Sequence, residues 1–69
     1  MQITGAELLT ILRKLGCKES RQKGSHVRVE CGTCVTTVAV HAGETIPAGT
    51  LGKIQRDLAP CLGKGWMRK

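Results

Sequence analysis

The first apolar stripe of the chain, Leu8, Ile11, Leu12 and Leu15, recurs at helical spacing through polar positions and predicts an amphipathic helix from about Gly5 to Leu15. Both ends of this helix are marked. Thr4 and Glu7 stand at capping-box spacing, Ile3 and Leu8 occupy the positions of a hydrophobic staple, and Gly16 can take the left-handed conformation that stops a helix. The period then changes to two. Lys18 to Gln22 is polar throughout and reads as a charged edge strand. After a turn at Lys23-Gly24, Val27, Val29 and Cys31 alternate with Arg28 and Glu30, and Gly32-Thr33 separates this run from a second, Cys34 to Val40. Two turn residues with glycine first predict a type II′ hairpin.

That turn fixes a register. Cys31 pairs with Cys34, Val29 with Thr36, Val27 with Val38 and His26 with Ala39. Directly opposed residues share a face, so Val27, Val29, Cys31, Cys34, Thr36, Val38 and Val40 point toward the helices. His26, Arg28, Glu30, Thr37, Ala39 and His41 point the other way, with His26 and His41 as diagonal neighbours roughly 7 to 8 Å apart at the backbone.

A last helix begins between Pro47 and Thr50, buries Leu51, Ile54 and Leu58, and turns Lys53 and Arg56 to solvent. Pro60 and Gly63-Lys64-Gly65 are expected to end it, giving a domain over residues 1–62 and a basic, mobile tail over 63–69. The predicted fold is α+β: a two-layer α-β-β-β-α domain with a three-stranded antiparallel sheet and both helices on one face.

Charge narrows the choice of partners. Eleven Lys+Arg against five Asp+Glu give a net charge of +6, spread along the chain rather than gathered in one arm. A distributed cationic surface favours nucleic acid, an anionic membrane or an acidic protein without choosing among them. No run approaches the roughly 18 apolar residues of a membrane span, so no membrane role is expected. The opening Met1-Gln2-Ile3-Thr4 is not the start of a signal peptide, which leads us to expect a cytoplasmic protein. Structural disulfides are not expected among the four cysteines in that compartment.

The candidate chemistry centres on Lys23-Gly24-Ser25-His26, a histidine beside a glycine turn in a basic segment. An imidazole exchanges protons near neutral pH, and cations around it would hold a polyanion within its reach. Cys31-Gly32-Thr33-Cys34 has the spacing of half a zinc site, but His41 lies on the opposite face and Cys17 and Cys61 sit at helix ends. No metal or other cofactor is therefore expected, and the pair reads as small, half-buried strand residues. Phe and Tyr are absent and the lone aromatic, Trp66, falls in the expected tail. Base stacking is then a minor mode, and contact with RNA would rest on phosphates and 2′-hydroxyls.

Four segments, Leu12-Arg13-Lys14-Leu15-Gly16, Arg21-Gln22-Lys23-Gly24-Ser25-His26, Val38-Ala39-Val40-His41 and Gly49-Thr50-Leu51 with Lys53-Ile54, together resemble the HicA (YcfA-like) toxin family over about residues 3 to 59. The resemblance implies a double-stranded-RNA-binding-domain-like fold, an mRNA interferase (an endoribonuclease cleaving messenger RNA without the ribosome), and a heteromeric complex with a neutralising HicB-type antitoxin. It marks His26 as the catalytic histidine. RNA cleavage without a metal needs a base for the 2′-hydroxyl and an acid for the leaving 5′-oxygen, and a histidine serves as either. Lys23, Ser25 and Arg28 are candidate substrate contacts, and His41 a further one that could supply the second proton-transfer group. The alternative is a non-catalytic RNA-binding module of the same fold; a zinc-stabilised interaction domain is a third class.

Overall fold

The computed structural model describes residues 2–66, in the order α1 (Gly5–Lys14), β1 (Lys18–Lys23), β2 (His26–Cys31), β3 (Cys34–Ala39) and α2 (Ala48–Leu62). The strands form one antiparallel sheet in the order β1-β2-β3. This is the α+β arrangement that the periodicity predicts.

The capping box of α1 is formed in full: the Thr4 amide donates to Glu7 Oε1 at 2.9 Å, and the Glu7 amide donates to Thr4 Oγ1 at 3.1 Å. The amide of Thr4, and next its hydroxyl, hold the Glu7 carboxyl below its ordinary pKa by bonding its charged form. At the other end Gly16 has φ +90°, with Gly16 N bonded to Arg13 O and Cys17 N to Leu12 O. Those two bonds make a Schellman motif, which turns the chain so that Cys17 points inward. Leu9 is buried where Leu15 was expected to be; Leu15 is 39% exposed.

The hairpin from β2 to β3 has the predicted register, Cys31 opposite Cys34 through His26 opposite Ala39. Gly32 takes φ +62°, the conformation required at the first position of a type II′ turn. Val27, Val29, Cys31, Thr36 and Val38 are buried, and they share one core with Leu8, Leu9, Leu12, Leu51, Ile54 and Leu58 from the helices. Thr36 is the polar member of that layer, and its hydroxyl is satisfied by donating to Asp57 Oδ2 of α2 at 3.1 Å.

Three expectations are corrected. All four cysteines form disulfides, Cys17 with Cys31 and Cys34 with Cys61. Extending the pairing of Lys18 with Glu30 by one residue brings Cys17 opposite Cys31, and the last turn of α2 carries Cys61 over the hairpin tip beside Cys34. Secondly, Pro60 lies inside α2 rather than ending it. In the last turn its missing N–H costs only the partner of the Arg56 carbonyl, on an exposed face. Thirdly, the segment expected as a mobile tail folds back as far as Trp66, which is 2% exposed and donates its indole N–H to Gln55 O at 3.3 Å. Residues 67–69 of that expected tail lie outside the described residues.

Candidate active site

His26 is the first residue of β2, fixed there by a second tight turn. Lys23 and His26 are direct cross-strand partners, which leaves Gly24-Ser25 as the two turn residues. Gly24 takes φ +59°, a conformation that side chains with a Cβ rarely adopt. The Gln22 side-chain amide donates to Gly24 O at 3.1 Å and braces the turn. On the other side, Val40 N donates to Ser25 O at 2.7 Å, carrying the ladder one step beyond β3. The backbone of the Gly-Ser-His segment is thus held from both neighbouring strands, while the His26 side chain is exposed on the face away from the helices.

That face is built by the register. Opposite Glu30, Arg28 and His26 of β2 stand Lys18, Arg21 and Lys23 of β1, and Val35, Thr37 and Ala39 of β3. Strict alternation along β1 could not put Lys18 on the same side as Arg21 and Lys23. The register shift between Glu19 and Arg21 does so, leaving Ser20 as the extra residue, with its hydroxyl donating to Arg28 O at 3.5 Å. The result is four cations, Lys18, Arg21, Lys23 and Arg28, around one carboxylate, Glu30. Arg28 Nε lies 3.9 Å from Glu30 Oε2, and with both side chains about half exposed this contact leaves the guanidinium available to another anion.

Beside His26 across the sheet stands Ala39, whose small side chain leaves room. Ala39, His41, Glu44, Thr45, Ile46, Pro47 and Thr50 line a cavity of about 280 Å³ that opens at this end of the sheet. His41 is exposed, two residues beyond Ala39 and past the end of β3. α1 approaches this end of the sheet closely: a Cβ on Gly5 would lie 2.5 Å from Ala39 O and 3.0 Å from Val40 Cα, so only glycine lets α1 pack against this end of β3.

Of the predicted site residues, Lys23, His26 and Arg28 share the basic face of the first hairpin, Ser25 stands at its turn, and His41 lines the neighbouring cavity. Lys18 and Arg21 were not singled out by the sequence because their facing depends on the bulge at Ser20. Glu44 and Thr50 were missed because only folding of the 41–50 loop brings them beside His41. Trp66, whose role depended on where the tail lies, is buried in the core and presents no stacking surface.

A family model described as the HicA toxin of bacterial toxin-antitoxin matches residues 5–59. Comparison with curated proteins and with solved structures yields no match.

Proposed function

Since the chain belongs to the HicA toxin family of bacterial toxin-antitoxin systems, we propose that it is a cytoplasmic endoribonuclease that cleaves messenger RNA without a metal, with His26 as the proton-transfer group. The observation that carries this reading is the setting of His26: an exposed imidazole directly opposite Lys23 on a face of four cations and one carboxylate. Lys23 and Arg28, with Ser25 at the turn, bind the phosphate and stabilise the charge that accumulates on it in the pentacoordinate transition state. His26 takes the proton of the 2′-hydroxyl as that oxygen attacks phosphorus, or gives a proton to the 5′-oxygen as its bond to phosphorus breaks. The other transfer falls to His41, on the cavity beyond Ala39, to a lysine or to water. The products are a 2′,3′-cyclic phosphate and a free 5′-hydroxyl. A HicB-type antitoxin neutralises the toxin by laying an acidic segment over the same face, in keeping with its net charge of +6.

The test is a comparison of two substrates of one sequence, an unstructured RNA and its 2′-O-methyl counterpart, each incubated with the protein in excess chelator. The proposal expects the RNA to be cut to cyclic-phosphate ends and the methylated strand to be bound but left whole. Cutting of both strands, or binding of both with no cutting, defeats it; the second result is that of a non-catalytic RNA-binding module.

A further inference from the structure

We propose that the four cysteines, when reduced, form a structural zinc site. They are the whole cysteine content of the chain, and the fold gathers them at one end. Cys31 and Cys34 are direct partners at the tip of the β2-β3 hairpin. Cys17, turned inward by the Schellman motif of α1, has its Cα 4.4 Å from that of Cys31; Cys61, at the end of α2, has its Cα 6.1 Å from that of Cys34. The chain of neighbours therefore runs Cys17, Cys31, Cys34, Cys61. Cys17, Cys31 and Cys61 also line one cavity of about 190 Å³ together with Gly32.

The two-residue spacing on a tight hairpin is that of a zinc-binding turn, and one cysteine from each helix end completes the four thiolates of a closed tetrahedral site. Tetrahedral bonds of about 2.3 Å put the sulfurs about 3.8 Å from one another. The two bonded pairs, with Cα separations of 4.4 and 6.1 Å, hold their sulfurs closer than that and need only part to reach it. The hairpin tip lies against Cys61: a Cβ on Gly32 would be at ordinary contact distance from Cys61 Sγ, 4.0 Å, and Thr33 Oγ1 lies 3.7 Å from that sulfur.

A disulfide sulfur is not a thiolate, so the two pairs as they stand offer zinc no ligand, and no group of three or more His, Cys, Asp or Glu side chains among the described residues could hold a metal ion in this structure. The site thus requires reduction. Two equivalents of a dithiol transfer four electrons and four protons to the two disulfides, giving four thiols, and Zn²⁺ then displaces four protons to the solvent. A compartment that keeps thiols reduced favours this form. Zinc would restore the two cross-links that reduction removes, from α1 and from α2 to the hairpin.

The test uses the full chain, reduced with a phosphine, freed of excess reagent without oxygen, and titrated with Co²⁺ and then Zn²⁺. The expected result is one Co²⁺ per chain with the intense ligand-field and thiolate charge-transfer bands of a tetrahedral site, displaced by Zn²⁺ and absent from the oxidised chain. Zinc should also raise the melting temperature of the reduced chain, and chelator should reverse this. Cys61→His, which keeps a ligand at that position, serves as a check; it should keep tetrahedral Co²⁺ with bands moved to higher energy. Weak octahedral bands, less than a tenth of an equivalent bound, or equal uptake by the oxidised chain would overturn the proposal.

Discussion

Removing the Cys34–Cys61 bridge isolates the effect of loop closure. Cys34 is half-buried and Cys61 exposed, so replacing both with alanine leaves little cavity behind. The cost then comes chiefly from the freedom regained by the unfolded chain. At a sequence separation of 27, loop-closure entropy is worth about 3.6 kcal/mol at room temperature. The Cys17–Cys31 bridge, at a separation of 14, gives about 3.0 kcal/mol by the same relation, plus a packing loss because both residues are buried. A domain of 69 residues has a total stability of about 3 to 10 kcal/mol, so either bridge is a large share of the whole. The assay is urea denaturation of the oxidised parent and of the double variant Cys34→Ala, Cys61→Ala, both in chelator. With a urea slope of about 1 kcal/mol per molar for so small a domain, the midpoint should fall by about 3.6 M, and a weakly stable parent should leave the variant partly unfolded in buffer. A shift below about 0.5 M would refute the reasoning, since the bridge would then constrain little that folding does not already constrain.

Trp66→Ala should destabilise the domain by about 3 to 5 kcal/mol, the range for truncating a buried aromatic, read as a lower denaturation midpoint; a change near zero would mean that Trp66 does not pack in the core. Gly5→Ala should cost about 1 to 3 kcal/mol, because the added methyl meets the Ala39 and Val40 backbone, and should shift the amide resonances of residues 38–41; unchanged resonances and stability would contradict the close approach. The lowered pKa of Glu7 gives stability that is present above its unfolded value and lost as pH falls through the folded one. Glu7→Gln should therefore flatten the dependence of melting temperature on pH between the folded and unfolded values, and an unchanged slope there would count against a charged capping box.

The elements whose signals are local were legible in the sequence. Thr4, Glu7 and Gly16 mark α1 through contacts three or four residues apart, and Gly32 fixes the β2-β3 register by its turn type, so the facing of His26 and Arg28 followed at once. What was not legible depends on long-range placement. The Cys17–Cys31 pairing needs the register of β1, which carries no apolar residue to reveal it and is exposed at all six positions, and the Cys34–Cys61 pairing needs the placement of α2 over the hairpin tip. The same gap hid the bulge at Ser20 and with it Lys18 and Arg21 of the basic face. Trp66 follows a Gly-Lys-Gly run that reads as an open loop, and one aromatic has no periodicity; only the indole's bond to Gln55 and its burial show where it goes.

The central claim is that His26 acts on RNA, and it is tested most directly by cleavage of a long, weakly structured RNA by the parent and by His26→Ala, in excess chelator, with circular dichroism confirming that both are folded. His26 is exposed, so its replacement should leave the fold intact. Cutting by the parent and a loss of about 100-fold or more in the variant is the predicted result, in line with the usual worth of a general acid or base. Equal cutting by both folded proteins would contradict it and remove His26 from the mechanism.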